Sequence, residues 1–357
     1  MLVTVDTEDL YPWAVALELT LECNMRCLHC GSTAGLSRKG QLSVPEWYAV
    51  IDELKGMGTE VFTLSGGEPF LYSSWRDIVS HICKKDVEGR KGKVVFVTNG
   101  FAISDDDIDF MNSEGVSQIG ISIDGNRQIH DFLRQRPGSF DAVMDLVARC
   151  RAKGLSYSMI TSFGMKNFQI REEVLEIILD KRPIAWQVQI VNSFGRAGRH
   201  QDDVGLDRRM FRTLMHDVRS WKNDHAERIR IMPADCMGYC HKVAEELFDG
   251  ESWEGCSSGC YVLGIKADGD VVGCLSLQSP EFSAGNVRER SISEIWQDPG
   301  SFQNSRVYDT SKARGDCALC EFVSQCRAGC HAIAFSRKGD VYENDLCLYA
   351  IERSLNG

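Results

Sequence analysis

Cysteine is the residue type with the most to say about this chain of 357 residues, 15 of which are cysteines. All but Cys83 and Cys150 are clustered, and those two sit alone in helical patterns, where a small buried hydrophobe is expected. Cys23, Cys27 and Cys30 fall in one short segment, Cys-Asn-Met-Arg-Cys-Leu-His-Cys. Reducing compartments rarely use disulfides for structure, so grouped thiolates point to metal. A structural zinc or a closed iron-sulfur site recruits four protein ligands. Three thiolates therefore mean either a four-iron cube with one iron open to a ligand, or a zinc whose fourth ligand lies elsewhere. Further on, Cys317, Cys320, Cys326, Cys330 and Cys347 form a dense second group, preceded by Cys256, Cys260 and Cys274. These suit two further clusters, or a pair of zinc ribbons. Cys236 and Cys240, in Ala-Asp-Cys-Met-Gly-Tyr-Cys, read as buried thiols or as neighbours of a substrate.

Aiming three thiols at one point requires a rigid edge beneath them. Apolar, β-branched runs at residues 15–21, 61–65, 94–98, 119–123, 156–161 and 186–191 predict strands. Between them, residues 44–57, 75–84, 105–113, 140–153 and 171–179 predict amphipathic helices, with Ser43 and Ser104 as N-caps. Such alternation predicts an α/β fold: a parallel sheet with helices outside, curled toward a barrel, with its chemistry at the C-terminal strand ends. Cys23 follows the first strand directly. Residues 194–203 are rich in Gly and Arg and predict a loop, followed by a helix over 207–222. Near Ile231 elements shorten and cysteines multiply, so a barrel with a bridging segment is expected over 1–230 and a smaller domain over 231–357.

The bulk composition narrows the function. With a net charge of −11 and no basic face, nucleic acid is excluded as a substrate class. The segment MLVTVDTEDLYPW is neither a basic leader nor an apolar anchor, and no run of about 18 apolar residues follows. A cytoplasmic protein with no membrane partner is the expectation.

The spacing Cys23-x3-Cys27-x2-Cys30 after the first strand resembles the signature of the radical S-adenosylmethionine (SAM) superfamily, whose fold is a partial (β/α)6 TIM-like barrel. The resemblance implies a [4Fe-4S] cluster held by these three cysteines, with SAM on the open iron as the source of a 5′-deoxyadenosyl radical. Ser65-Gly66-Gly67-Glu68-Pro69 resembles the family's GGEP motif. Gly66 and Gly67 would let the backbone approach a ligand, and Glu68 would accept from the SAM ammonium. Asn99, Ser122 and Asp124 lie where the family makes polar contacts to SAM, although Asn-Gly and Asp-Gly are also ordinary turns. His29 stands at a position that is aromatic in many members and packs near the adenine; a solvent-facing imidazole is the other reading. His130, Asp131 and Arg134 resemble a stretch common in peptide-modifying members, and a solvated helix start explains them nearly as well.

The later cysteines resemble the SPASM domain, the auxiliary-cluster module of radical SAM enzymes. Twelve residues separate Cys256 from Gly269, within the module's spacing, whereas the eight that follow Cys260 fall short. The resemblance implies Cys256, Cys260, Cys274 and Cys330 at a first auxiliary [4Fe-4S] cluster, making three clusters in all with a second held by Cys317, Cys320, Cys326 and Cys347. Cys330 would then cross between the two sites. Whether Cys260 ligates decides whether the first cluster is closed or offers an iron to substrate. Leu275 follows Cys274 where sulfatase-maturing members carry their aspartate base, which argues against that activity. The short segment before the first strand leaves no room for a leader-recognition domain. The resulting expectation is a maturase of a ribosomally made peptide or protein, served by a reductant such as flavodoxin or ferredoxin and by a separate leader-recognition protein where one is needed. Enzymes of small metabolites in haem and redox-cofactor pathways, and a non-catalytic iron-sulfur or zinc scaffold, are the alternatives.

Overall fold

The computed structural model describes residues 1–7, 9–85, 89 and 91–356. Seven consecutive parallel strands carry it: β2 (Ala14–Thr20), β3 (Val61–Gly66), β4 (Lys93–Thr98), β5 (Gln118–Ser122), β6 (Tyr157–Phe163), β7 (Ala185–Ile190) and β8 (Arg230–Pro233). The first six match the expected runs to within two residues. The side chains of β5 and β6 are nearly all buried, whereas β3 and β4 alternate buried with partly exposed positions. Helices α1 (Val44–Gly56), α2 (Trp75–Cys83), α3 (Asp105–Glu114), α4 (Arg127–Arg134), α5 (Ser139–Lys153), α6 (Met165–Phe168) and α7 (Arg171–Lys181) lie between strands. Ser43 and Ser104 cap α1 and α3: the Ser43 amide donates to Glu46 at 2.7 Å and the Ser104 amide to Asp107 at 2.9 Å. Cys83 and Cys150 are core residues.

Three departures from the expectation bear on the site. First, α4 is not a solvated helix start, since His130 is fully buried and Arg134 nearly so. Second, residues 194–203 are not a plain loop; they form α8 (Gly195–Arg199) and α9 (Gln201–Val204), before α10 (Arg208–Asp224). Third, the sheet does not end with the barrel. The strands β9 (Val262–Ile265), β10 (Asp270–Val272) and β11 (Ser283–Asn286) continue it beyond β2, with β9 parallel to β2 and the next two antiparallel. A separate ribbon pairs β1 (Leu2–Thr4) with β12 (Val307–Asp309), stitching the N-terminus to the cysteine-rich region.

The central strand thus carries a neighbour from each half of the chain. Leu17 on β2 is fully buried. Replacing it in Leu17→Ala should cost about 2–5 kcal/mol in a urea unfolding titration.

Candidate active site and cluster cysteines

The C-terminal ends of β2 to β6 share one edge, and the segment after β2 carries Cys23, Cys27 and Cys30. Backbone bonds pin this loop on several sides. Gly67 donates to the Thr20 carbonyl and Glu68 to that of Glu22, both at 2.8 Å; Leu28 donates to Leu133 at 2.8 Å, and Arg196 to Cys30 at 2.9 Å. The Arg196 guanidinium also reaches the carbonyls of Cys27 and Ala34. A β-carbon on Gly67 would fall 2.1 Å from the Glu22 carbonyl oxygen, and one on Gly66 2.2 Å from that of Thr20. The close approach that these glycines permit is to the protein's own cysteine loop, a finding the sequence did not suggest.

The three thiols lie within charge-interaction range of one another. Burial pushes the Cys27 thiol up to about 11, against the pull of Arg134. Arg134 is thus a positive charge facing the ligand set, suited to a site that must hold thiolates.

Glu68 is fully buried, and burial raises its carboxyl to about 7. One of its oxygens accepts from the Thr98 hydroxyl and the other from the Asn99 amide, each at 2.8 Å. The Asn99 side chain in turn donates to Asn24 at 2.7 Å, beside Cys23. These residues brace the loop from the ends of β3 and β4. Ser122 is buried at the end of β5.

Asp124 is the hub of the site. Its Oδ2 accepts from Arg134 Nε at 2.7 Å and Nη2 at 2.6 Å and lies 3.1 Å from His29 Nε2; its Oδ1 accepts from the Ser162 amide at 3.1 Å. Burial alone would raise this carboxyl, yet Arg134 and then His29 hold it far below the usual carboxylate range. Both oxygens are therefore engaged by protein groups, and Asp124 acts as a positioning residue. The Asp124 amide donates to His130 Nδ1 at 3.1 Å, which requires a neutral ring. Burial first, and Arg134 next, lower His130 to about 3.

A cavity of about 290 Å³ opens at this edge. It is lined by His29, Gly31 and Ser32 of the cysteine loop, by Ser65 and Gly66 at the end of β3, and by Cys236, Leu275 and Cys330 of the cysteine-rich region. His29 Nδ1 and Asn192 Oδ1, both on this cavity, are buried without a protein partner. Such atoms need a ligand to satisfy them, so the residues fit a polar cofactor such as SAM. His29 is not solvent-facing; its side chain is 8% exposed.

Cys317, Cys320, Cys326 and Cys347 line one small cavity together with Val323, Ala328 and Ala350, a thiol cage with apolar walls that fits an iron-sulfur cube. Cys240 lies near this set, within charge-interaction range of Cys320, and its thiol donates to the Trp253 carbonyl at 3.9 Å. At the other expected site, Cys330 lies within range of Cys256, Cys236 and Cys274. Cys260 does not join them. Held in the tight turn where its amide donates to Ser257, it faces Arg327 and Arg306.

Sequence reasoning missed Arg134 and Arg196 as supports of the cysteine loop, and it missed Glu18. The Glu18 carboxylate, on β2, accepts from Arg38 and, at 3.2 Å, from the Ala267 amide after β9. A glutamate inside the apolar run Ala-Val-Ala-Leu-Glu-Leu-Thr was the available signal.

Two outcomes are expected. Asp124→Ala strands Arg134 without its counter-charge and should destabilise the protein by about 3–5 kcal/mol in urea unfolding, with iron lost from the cysteine loop. His130 is neutral in the fold while the unfolded ring titrates near its ordinary value, so its contribution is complete above about pH 6.5 and declines as pH falls toward 3. Between pH 7.5 and 5.0 the stability drop should be about 2 kcal/mol smaller in His130→Gln than in the wild type.

Comparison with known proteins agrees with this geometry. The model of the radical SAM superfamily matches residues 17–179, and that of the SPASM iron-sulfur cluster-binding domain matches residues 256–327. An AdoMet-dependent heme synthase of Methanosarcina barkeri is 27% identical over 355 residues, 95% of this chain and 97% of the relative. A mycofactocin maturase of Mycolicibacterium smegmatis is 25% identical over 327 residues, 91% and 79% of the respective chains. The fold superposes on native anSMEcpe with bound AdoMet with a TM-score of 0.76, covering 96% of each chain at 15% identity. With its cysteine loop at the C-terminal edge of a parallel barrel and its second set of thiols beyond, the chain belongs to the radical SAM superfamily, an enzyme with a SPASM domain whose cofactors are SAM and iron-sulfur clusters.

Proposed function

We propose that this enzyme oxidises a small metabolite, in the class of haem or redox-cofactor precursors. The observation that carries the reading is a partly open cavity of about 290 Å³, bounded by residues of both the cysteine loop and the cysteine-rich region. The full-length similarity to the Methanosarcina heme synthase supports it. In this reading Cys23, Cys27 and Cys30 hold the SAM cluster, and Cys317, Cys320, Cys326 and Cys347 hold an auxiliary one. When bound, SAM and its cluster supply the 5′-deoxyadenosyl radical that abstracts hydrogen from an unactivated C–H bond.

The chain's own residues position and exclude. His29, Ser65 and Gly66 face the cofactor, while Glu68, Asn99, Ser122 and Asp124 keep the loop and strand ends in place. Gln189 and Ser162, hydrogen-bonded at 2.8 Å, offer neutral polar groups to the substrate. Among the described residues lining the cavity, the one carboxylate is Glu18, already committed to Arg38 and Ala267. Leu275 also lies on this wall, where no proton can be taken up. A reaction without a protein base suits a substrate that discharges an electron and its own leaving group after hydrogen abstraction. The barrel unit with its bridge runs through β8 to Pro233, a little beyond the expected boundary at 230, and the auxiliary-cluster unit follows it. We place the enzyme in the cytoplasm with a flavodoxin- or ferredoxin-type reductant; among the described residues no helix is long and apolar enough to cross a membrane.

A second reading, maturation of a ribosomally made peptide, draws on the similarity to mycofactocin maturase. One experiment separates the two. The reduced, reconstituted enzyme is given SAM with either a propionate-bearing iron porphyrin or a co-encoded peptide. We expect 5′-deoxyadenosine formation to rise, and the substrate mass to change, with the porphyrin. Stimulation by the peptide alone, with loss of two hydrogens or appearance of D-residues, would replace the first reading with the second. Iron should fall from about twelve to about eight per chain in the Cys23→Ala/Cys27→Ala/Cys30→Ala variant.

A further inference from the structure

We propose that Cys236, not Cys260, is the fourth thiolate of the first auxiliary cluster, whose ligands are then Cys236, Cys256, Cys274 and Cys330. The inference rests on the family assignment and is independent of the substrate. Cys330 is the common neighbour of the other three, and Cys236 and Cys330 both line the cavity at the barrel mouth. Cys260 has no thiol beside it among the described residues and is turned toward two guanidinium groups.

The local fold explains the exchange. After β8 the chain turns back, with the Ala234 amide donating to Val188 at 2.8 Å and that of Met237 to Ala234 at 2.8 Å. This turn brings Cys236 beneath the end of β7, where the Ile190 amide donates to its sulfur at 3.5 Å. Amide donors to sulfur are a recurrent support of cluster thiolates. Three residues on, the buried Tyr239 packs so tightly on Gly329 that a β-carbon there would fall 2.4 Å from its ring, and its hydroxyl accepts from Asn344 at 3.1 Å. The segment carrying Cys236 is thereby fixed against the one carrying Cys330. Cys260, in contrast, lies in a turn locked by Arg306, which donates to the Gly259 carbonyl at 2.8 Å, and by Phe302, which fills the space over Gly259. Four protein thiolates leave no iron of this cluster free to bind a substrate atom, and Cys236 and Cys330 are the two of them that line the cavity.

The test compares anaerobically reconstituted wild type, Cys236→Ala and Cys260→Ala, as full-length holoprotein and again with Cys23, Cys27 and Cys30 replaced by alanine, so that only auxiliary irons report. Iron content and electron paramagnetic resonance are read in the absence of substrate. Cys260→Ala should keep the iron content and the reduced spectrum of the parent. Cys236→Ala should lose about one iron per chain, show an oxidised three-iron signal, and respond to added cyanide where the parent does not. Loss of cluster in Cys260→Ala, or an unchanged spectrum in Cys236→Ala, overturns the assignment. If Cys236→Ala fails to fold, Cys236→Ser replaces it: an oxygen ligand shifts the resonance positions, and unshifted positions overturn the proposal.

Discussion

The buried carboxylate of Asp124 would be costly to hold without compensating charge, and the groups that compensate it come from three separate segments. Arg134 arrives from α4, His29 from the cysteine loop and the Ser162 amide from the end of β6. Removing water from an ion pair is repaid only when geometry is good and the remaining lone pairs are satisfied. Satisfying Asp124 therefore fixes where α4 and the cysteine loop lie relative to the barrel. The same guanidinium faces the thiols of Cys23 and Cys27, so one arginine balances the carboxylate and the ligand set together.

A second buried acid performs the corresponding task on the other side. Glu18 joins Arg38, beyond the cysteine loop, to the backbone after β9. With β9 paired to β2, the cysteine-rich region becomes an extension of the barrel sheet and not an appendage on a linker. That placement brings Leu275 and Cys330 to the same cavity as His29. An enzyme that makes a reactive radical has to exclude water and hold its substrate between fixed walls, and a shared sheet provides the stiffness.

The paired thiols Cys236 and Cys240 follow from the same constraint. They lie on the connection between the last barrel strand and the first strand of the extension, which has to pass both sets of cysteines. Cys236 lies near Cys330, while Cys240 lies near Cys320 and Cys326. Spacing alone leaves them outside the family's pattern, because the contact depends on where β8 ends.

Much of the molecule was legible in the sequence because its signals are local. Strand runs, helix caps and the interval from Cys23 to Cys30 depend on neighbours in the chain, and they marked the barrel and the cysteine loop, while the set of Cys317, Cys320, Cys326 and Cys347 came from the resemblance to the SPASM domain. The tertiary structure decided what depends on distant segments meeting. It committed Asp124 to Arg134 and His29, set Gly66 and Gly67 against the cysteine loop, turned Cys260 away and brought Cys236 to Cys330. Charge pairing in a buried interior and steric contact between separate backbones carry no fixed sequence interval, and only the folded chain shows which groups they join.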